Sequence, residues 1–351
     1  CSSDLQMLNV KDLEIPYYVP GSSQTNYLKN LSFELNPNEV LGIVSRNQVS
    51  KPALLACLLQ NQKPLSGSIS IGKQNLNLLS GKPLRQARSL IGYVSCENDL
   101  LSGRSVLENL ELPLRFRGLK RSEISHLTTP LVEYFDLHEI LRKRPRNLNN
   151  YEITKVKIAR ALVNKPKVLI MDDITSNLDI KGTQNIISKL RHMRRNYDKA
   201  IVMFTQDIDA IKSICDEVSV LHNDQIMSEG NTAQFIVNPK HICSQDIIKS
   251  FARAELPWAI RKRLKSQSAN GLNAIVRTAF IDAIAPETIL SHIIDNFGIK
   301  INIINSYSEL IQNYGCHVSY IELIGNEQQI ELSIDHLTQN RLYTEVLGYV
   351  T

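Results

Sequence analysis

Arg146 to Asp179 reads RNLNNYEITKVKIARALVNKPKVLIMDDITSNLD, and its second half points to the fold. VLIMDD (Val168–Asp173) is a short apolar run that ends on two carboxylates. That length and composition fit a strand buried on both faces of a parallel sheet. AIVMFTQ (Ala200–Gln206) and EVSVLHND (Glu217–Asp224) read as two further strands with a helix between them. VLGIV (Val40–Val44) is another, followed by the loop Ser45–Lys51 and by PALLACLLQ, which has helical spacing. Pro52 suits a first helical turn, where its missing N–H costs the helix nothing. Strands alternating with helices predict an α/β fold with a parallel-rich sheet.

The flanks extend this outline. Leu5 to Leu41 alternates apolar and polar residues around the turn-rich PYYVPGSSQTN, which predicts an antiparallel β subdomain. SGSISIG (Ser66–Gly72) and SLIGYVS (Ser89–Ser95) read as strands, and residues 105–165 as a charged, α-helical insertion. The basic, small-residue-rich RKRLKSQSANG (Arg261–Gly271) is the best linker. Beyond it the pattern runs strand–helix–strand–strand–helix–strand, the ferredoxin-like βαββαβ order. The expected organisation is a nucleotide-binding-like domain over residues 5–250, a linker over 251–271 and a ferredoxin-like domain over 272–351.

At 351 residues the chain is long enough for two cores. A hydrophobic content of 43% with 21% charged residues is that of a globular protein. The net charge of +5 is mild: it would suit a membrane-adjacent or weakly nucleic-acid-binding surface, but it reads first as a soluble protein with a few extra lysines, and no nucleic-acid partner is expected. No apolar run approaches the roughly 20 residues of a spanning helix. The cysteines at positions 1, 57, 96, 215, 243 and 316 show no metal-ligand spacing, and no metal site is expected. His317 and His336 read as ordinary strand and helix residues. Cys1 reads as the start of a trimmed chain rather than as a lipidated terminus. Trp258 sits on a short amphipathic stretch and reads as a linker anchor.

The loop SRNQVSKP (Ser45–Pro52) occupies the slot of a phosphate-binding loop, G-x-x-x-x-G-K-[ST], after a strand and before a helix. In that motif glycines let backbone amides wrap phosphate, Lys supplies charge and Ser/Thr holds Mg²⁺. Only Lys51 matches. Ser45 and Ser50 stand at the motif glycines, Gln48 at a further one usual in transporter ATPases, and Pro52 at the Mg²⁺ ligand. If the glycine positions need positive φ, each replacement costs on the order of 1 kcal/mol. Pro52 removes a hydroxyl ligand and an N–H donor, and hydrogen bonds to charged groups are worth roughly 1.5–3 kcal/mol each. A total near 4–6 kcal/mol would turn micromolar binding into millimolar.

In their order, Ser45–Ala53, LNNYE (Leu148–Glu152), VLIMDDITSNLD and TQD resemble the Walker A, signature, Walker B/D-loop and H-switch motifs of ATP-binding-cassette transporter ATPases. More narrowly, IGYVSCENDLLSGRSVLENLELPLRFRG (Ile91–Gly118), SEGNTAQFIVNPKH and the terminal EVLGYV are similar to the methionine-importer ATPase subunit, whose C-terminal regulatory domain the βαββαβ tail also matches. The resemblance covers nearly the whole chain.

It implies roles residue by residue. Tyr17 or Tyr18 stands where an aromatic stacks on adenine. Ser45, Asn47, Ser50, Lys51 and Pro52 stand at the phosphate and Mg²⁺ positions, and Cys96 at the Q-loop glutamine. Asn149, Asn150, Tyr151 and Glu152 replace the small, glycine-rich signature. Asp172 matches the Walker B aspartate, although the pair Asp172–Asp173 also fits a plain acidic cap. Asp173 replaces the general-base glutamate and is one methylene shorter, which displaces its carboxylate by about an ångström. Gln206 replaces the switch histidine and cannot carry a proton. Asp179 keeps the D-loop aspartate.

Phosphoryl transfer depends on positioned charge and metal, so the expectation is a hydrolysis-defective cassette with weakened ATP and Mg²⁺ positions. Such a chain would be a structural or regulatory subunit of a membrane assembly, on the cytoplasmic face of a bacterial inner membrane. Its partners would be a permease-type subunit and a second cassette, as homodimer or heterodimer, with an amino acid as a possible tail ligand. Two other readings stay open: a working ATP-driven importer of methionine or a similar molecule, and an amino-acid-sensing dimer platform. The basic runs RFRGLKRSE (Arg115–Glu123) and RKRPR (Arg142–Arg146) read as solvated faces.

Overall fold

The structure, a computed structural model, describes all residues except 1–5, 22–23, 46–48, 98, 197, 269–270, 283–285 and 341. It divides into two compact units, Cys1–Ser228 and Glu229–Thr351.

In the first unit, the long strands Leu8–Tyr18 and Thr25–Leu35 pair antiparallel, and Ser66–Ile71 pairs antiparallel with the first of them. Their alternate residues Leu8, Val10, Leu13 and Ile15 are buried, with irregular register where the period slips around Asp12. This is the antiparallel subdomain that the alternation predicts. A second sheet runs Ile91–Val94, Val168–Asp172, Ala200–Phe204, Val40–Ser45, Glu217–His222 and Gln225–Asn231. Its first five strands pair in parallel. Every residue of Val40–Ser45, Val168–Asp172 and Ala200–Phe204 is buried, which is why these strands read as unbroken apolar runs rather than as alternation.

The insertion is helical as expected. Val106–Phe116, Arg121–Tyr134 and Asn150–Leu162 are its α-helices, and Leu114, Ile124 and Val163 form a small core of their own. Gly92 permits close packing of the sheet under this insertion: a Cβ there would meet the Ala161 carbonyl oxygen at 2.8 Å.

The second unit carries the strands Asn273–Ile281, Lys300–Ile311, Tyr314–Ile324 and Tyr343–Val350 with the helices Pro286–Phe297 and Glu327–Gln339. Numbered within the unit, the antiparallel strand order is 2-3-1-4, the ferredoxin-like arrangement. The face bearing Ala274, Val276, Ile321 and Leu323 packs on those two helices. The helices Thr232–Val237 and Ile242–Glu255 also belong to this unit, and Arg277 donates to the Ile236 carbonyl at 2.6 Å. Within the basic stretch Arg261–Gly271, Lys265 forms a backbone bridge to Tyr349. Trp258 is exposed at the start of a one-turn helix, with the Lys262 ammonium 5.2 Å from its ring centre.

Candidate nucleotide site

The strand Val40–Ser45 leads, through residues of which 46–48 lie outside the described residues, into the helix Lys51–Leu58. Asn47 and Gln48 therefore lie outside the described residues. Ser50 caps the helix with φ −87° and ψ −24°, ordinary right-handed backbone. Neither Ser45 nor Ser50 has positive φ. The strain cost expected at these two motif-glycine positions is absent, because a serine can adopt the backbone found there. Ser50 is buried, and its hydroxyl has no hydrogen-bond partner.

Lys51 is 7% exposed. Its ammonium donates to Asp172 Oδ1 at 2.8 Å and Asp173 Oδ2 at 2.7 Å. Burial alone would lower the lysine's pKa; the hydrogen bonds to Asp172 and Asp173, with the attraction of both carboxylates, outweigh it and hold the pKa above its ordinary value. The first residue of the helix Lys51–Leu58 is thus brought onto the two acids that end and follow the strand Val168–Asp172. Asp173 itself sits in the left-handed region, φ 46°, with its N–H on the Phe204 carbonyl at 2.9 Å and its own carbonyl accepting from Ser176 Oγ at 2.8 Å. A non-glycine residue in that region costs on the order of 1–2 kcal/mol.

Gln206 lies at the end of the strand Ala200–Phe204 and turns back on the loop: its Nε2 donates to the Ser45 carbonyl at 2.7 Å. Tyr17 is 8% exposed within the main core, and its hydroxyl donates to Asp224 Oδ1 at 2.7 Å. Burial first, then this bond to a carboxylate, pushes its pKa up to about 12. Tyr18 is 71% exposed, so of the two tyrosines it offers the open ring face.

The signature-like residues form the start of the helix Asn150–Leu162. Asn149 accepts from the Glu152 N–H at 2.8 Å while Glu152 accepts from the Asn149 N–H at 2.9 Å, a closed capping box. Asn150 Nδ2 reaches the Asn177 carbonyl at 3.0 Å. A cleft of about 620 Å³ lies here, with Asn149, Tyr151, Asn177, Asp179, Lys181 and Asn185 in its wall. Asp179 is used locally, its Oδ1 accepting from the Gly182 N–H at 2.7 Å.

Sequence reasoning did not anticipate two contacts. One is the Gln206–Ser45 bond. The other is Lys157, buried in mid-helix, whose ammonium donates to the Glu97 carbonyl at 2.6 Å, one residue past the partly buried Cys96. A lysine on the buried face of a helix is the available signal, since such a group must find an acceptor.

The ABC transporter family model matches residues 28–176 and the NIL domain model residues 274–346. The methionine import ATP-binding protein MetN of Cupriavidus pinatubonensis is 31% identical over 330 residues, covering 94% of this chain and 96% of that protein. The chain belongs to the methionine import ATP-binding protein family. The Vibrio vulnificus YJ016 member of that family is 30% identical over 344 residues, covering 98% of this chain and all of its own length. Among solved structures, the dimeric post-hydrolysis ATP-binding cassette MJ0796 bound to ADP and Pi superposes with TM-score 0.58 at 25% identity, covering 64% of this chain and 98% of that one. CbiO1 of Clostridium perfringens, part of the transporter complex cbiONQ, gives 0.59 at 25%, with 74% and 98% covered. Among the described residues, no helix is long and apolar enough to cross a membrane.

Proposed function

We propose that this member of the methionine import ATP-binding family does not hydrolyse ATP and serves as a structural or regulatory subunit of a methionine-import-type membrane assembly. The observation that carries the reading is the condition of Lys51, which is buried and satisfied by Asp172 and Asp173 beside a proline.

The residues present do not fit Mg²⁺–ATP. Pro52, at the metal-ligand position, has neither hydroxyl nor N–H. Losing the one hydrogen bond to a charged group costs about 1.5–3 kcal/mol, or roughly one to two powers of ten in affinity, and the Mg²⁺ ligand is lost besides. Phosphate would also have to draw Lys51 away from two carboxylates, of which Asp172 is buried. At the other half-site, a helix N-terminus is ordinarily a ready anion site. Here the Asn149–Glu152 capping box fills its first turn and puts a carboxylate there. One feature favours a ligand: the buried, unpartnered Ser50 hydroxyl. A single neutral donor does not offset the rest.

The family supplies the expected setting, a permease-type partner and pairing with a second cassette at the cytoplasmic side of an inner membrane. The ferredoxin-like domain over 272–351 would be its regulatory part, with an amino acid as candidate ligand. Within the cassette we assign the exposed Tyr18, rather than the buried Tyr17, to any residual adenine contact. The test is ATP turnover by purified protein alongside Lys51→Ala and Asp172→Asn. Equal, background-level phosphate release from all three is expected; turnover that either substitution abolishes overturns the reading.

A further inference from the structure

Away from the nucleotide motifs, the first unit contains a cavity of about 350 Å³ between the helices Arg121–Tyr134 and Ile180–Asn196 and the turn that ends Asn150–Leu162. Its wall is apolar, formed by Leu127, Pro130, Leu131, Tyr134, Leu162 and Met193. The Tyr134 hydroxyl donates to the Lys189 carbonyl at 2.5 Å. The remaining lining residues are His126, Lys165 and Lys199, with no Asp or Glu among the described residues of the lining.

The two lysines are held by different means. Lys165 closes the preceding helix in the left-handed region, φ 52°, its N–H on the Leu162 carbonyl at 2.8 Å. Its side chain stays exposed. Lys199 is 8% exposed and donates to the Pro166 carbonyl at 2.7 Å. Burial lowers its pKa, and the charge of Lys165 lowers it further. An apolar chamber with two lysines in its wall is complementary to a molecule with an apolar body and one anionic head. The volume lies near the lower end of the roughly 300–1,000 Å³ of small-molecule sites, which points to a small occupant.

We propose that this cavity binds a small amphipathic carboxylate, its chain among Leu127, Leu131 and Met193 and its head at Lys165 and Lys199. A ligand so placed bridges the helical insertion and the segment leading into the strand Ala200–Phe204. Its lining residues all belong to the first unit and lie outside the nucleotide motifs.

Octanoate and the neutral 1-octanol, titrated separately into the full chain by ligand-observed NMR, test this. Octanoate should saturate and bind at least about tenfold more tightly than octanol, and it should raise the unfolding temperature. Lys165→Gln, a change at an exposed side chain, should weaken octanoate and leave octanol unchanged. Leu131→Trp should remove saturable binding of both. The proposal is overturned if octanoate does not saturate, if the two probes bind equally to the unaltered protein, or if octanoate binds Lys165→Gln undiminished.

Discussion

Lys51 shows how far a residue's surroundings can depart from what its motif suggests. The sequence marks it as a phosphate ligand; the structure makes it the counter-ion of Asp172 and Asp173, at 2.8 and 2.7 Å. Truncation would leave Asp172 buried without its charge partner, and breaking such a pair costs about 3–5 kcal/mol. Lys51→Ala should therefore lower stability by that order, read as a reduced urea midpoint at unchanged slope. A neutral effect would mean the pair is solvated. Glu345 makes a second case, in the other unit. One of its carboxylate oxygens is buried without a hydrogen-bond partner, as is Nη1 of Arg277, its cross-strand neighbour. Burial raises the Glu345 pKa, and Asp246 adds to this, while Lys249, Arg277 and Arg253 pull the other way without cancelling it. The folded state thus holds this proton more tightly than the unfolded chain does. That contribution to stability is fully present below the usual glutamate pKa and is lost as pH rises through the raised one. Glu345→Gln should flatten the dependence of unfolding temperature on pH across that acidic window and stabilise the protein at pH 7.

At the scale of elements, the sequence was legible wherever burial imposes a period. The unbroken apolar runs at Val40–Ser45, Val168–Asp172 and Ala200–Phe204 are buried parallel strands, and the alternation in Leu8–Tyr18 is an antiparallel one. What periodicity does not carry is the destination of a polar atom. Gln206 could be placed at a strand end, but not on the Ser45 carbonyl. Tyr17 and Tyr18 alternate as strand neighbours must, yet only the fold decides which of them faces the core. Likewise Ser50 occupies a glycine position without the glycine backbone. Two substitutions test element-level claims. Asn149→Ala removes one arm of the capping box at the start of Asn150–Leu162 and should cost about 1 kcal/mol in thermal or urea unfolding. Gly92→Ala places a methyl 2.8 Å from the Ala161 carbonyl and 3.0 Å from Pro166 Cγ, and should cost about 1–3 kcal/mol by overpacking. Retention of full stability in Gly92→Ala would show that the helix can move off the strand at no cost.

Over the whole molecule, the scaffold and the site point different ways. The chain matches its relatives over 94–98% of its length, and both units keep a complete sheet and core. The nucleotide positions instead spend their polar groups on one another: Lys51 on two acids, Asn149 on Glu152, Gln206 on Ser45. A fold retained for assembly while its chemistry lapses would have this distribution. The direct measurement is calorimetric titration of the full-length protein with ATP, with and without Mg²⁺. The proposed function predicts no saturable binding below millimolar nucleotide and no enhancement by the metal. Micromolar binding strengthened by Mg²⁺ would contradict it and make the chain a nucleotide-driven subunit.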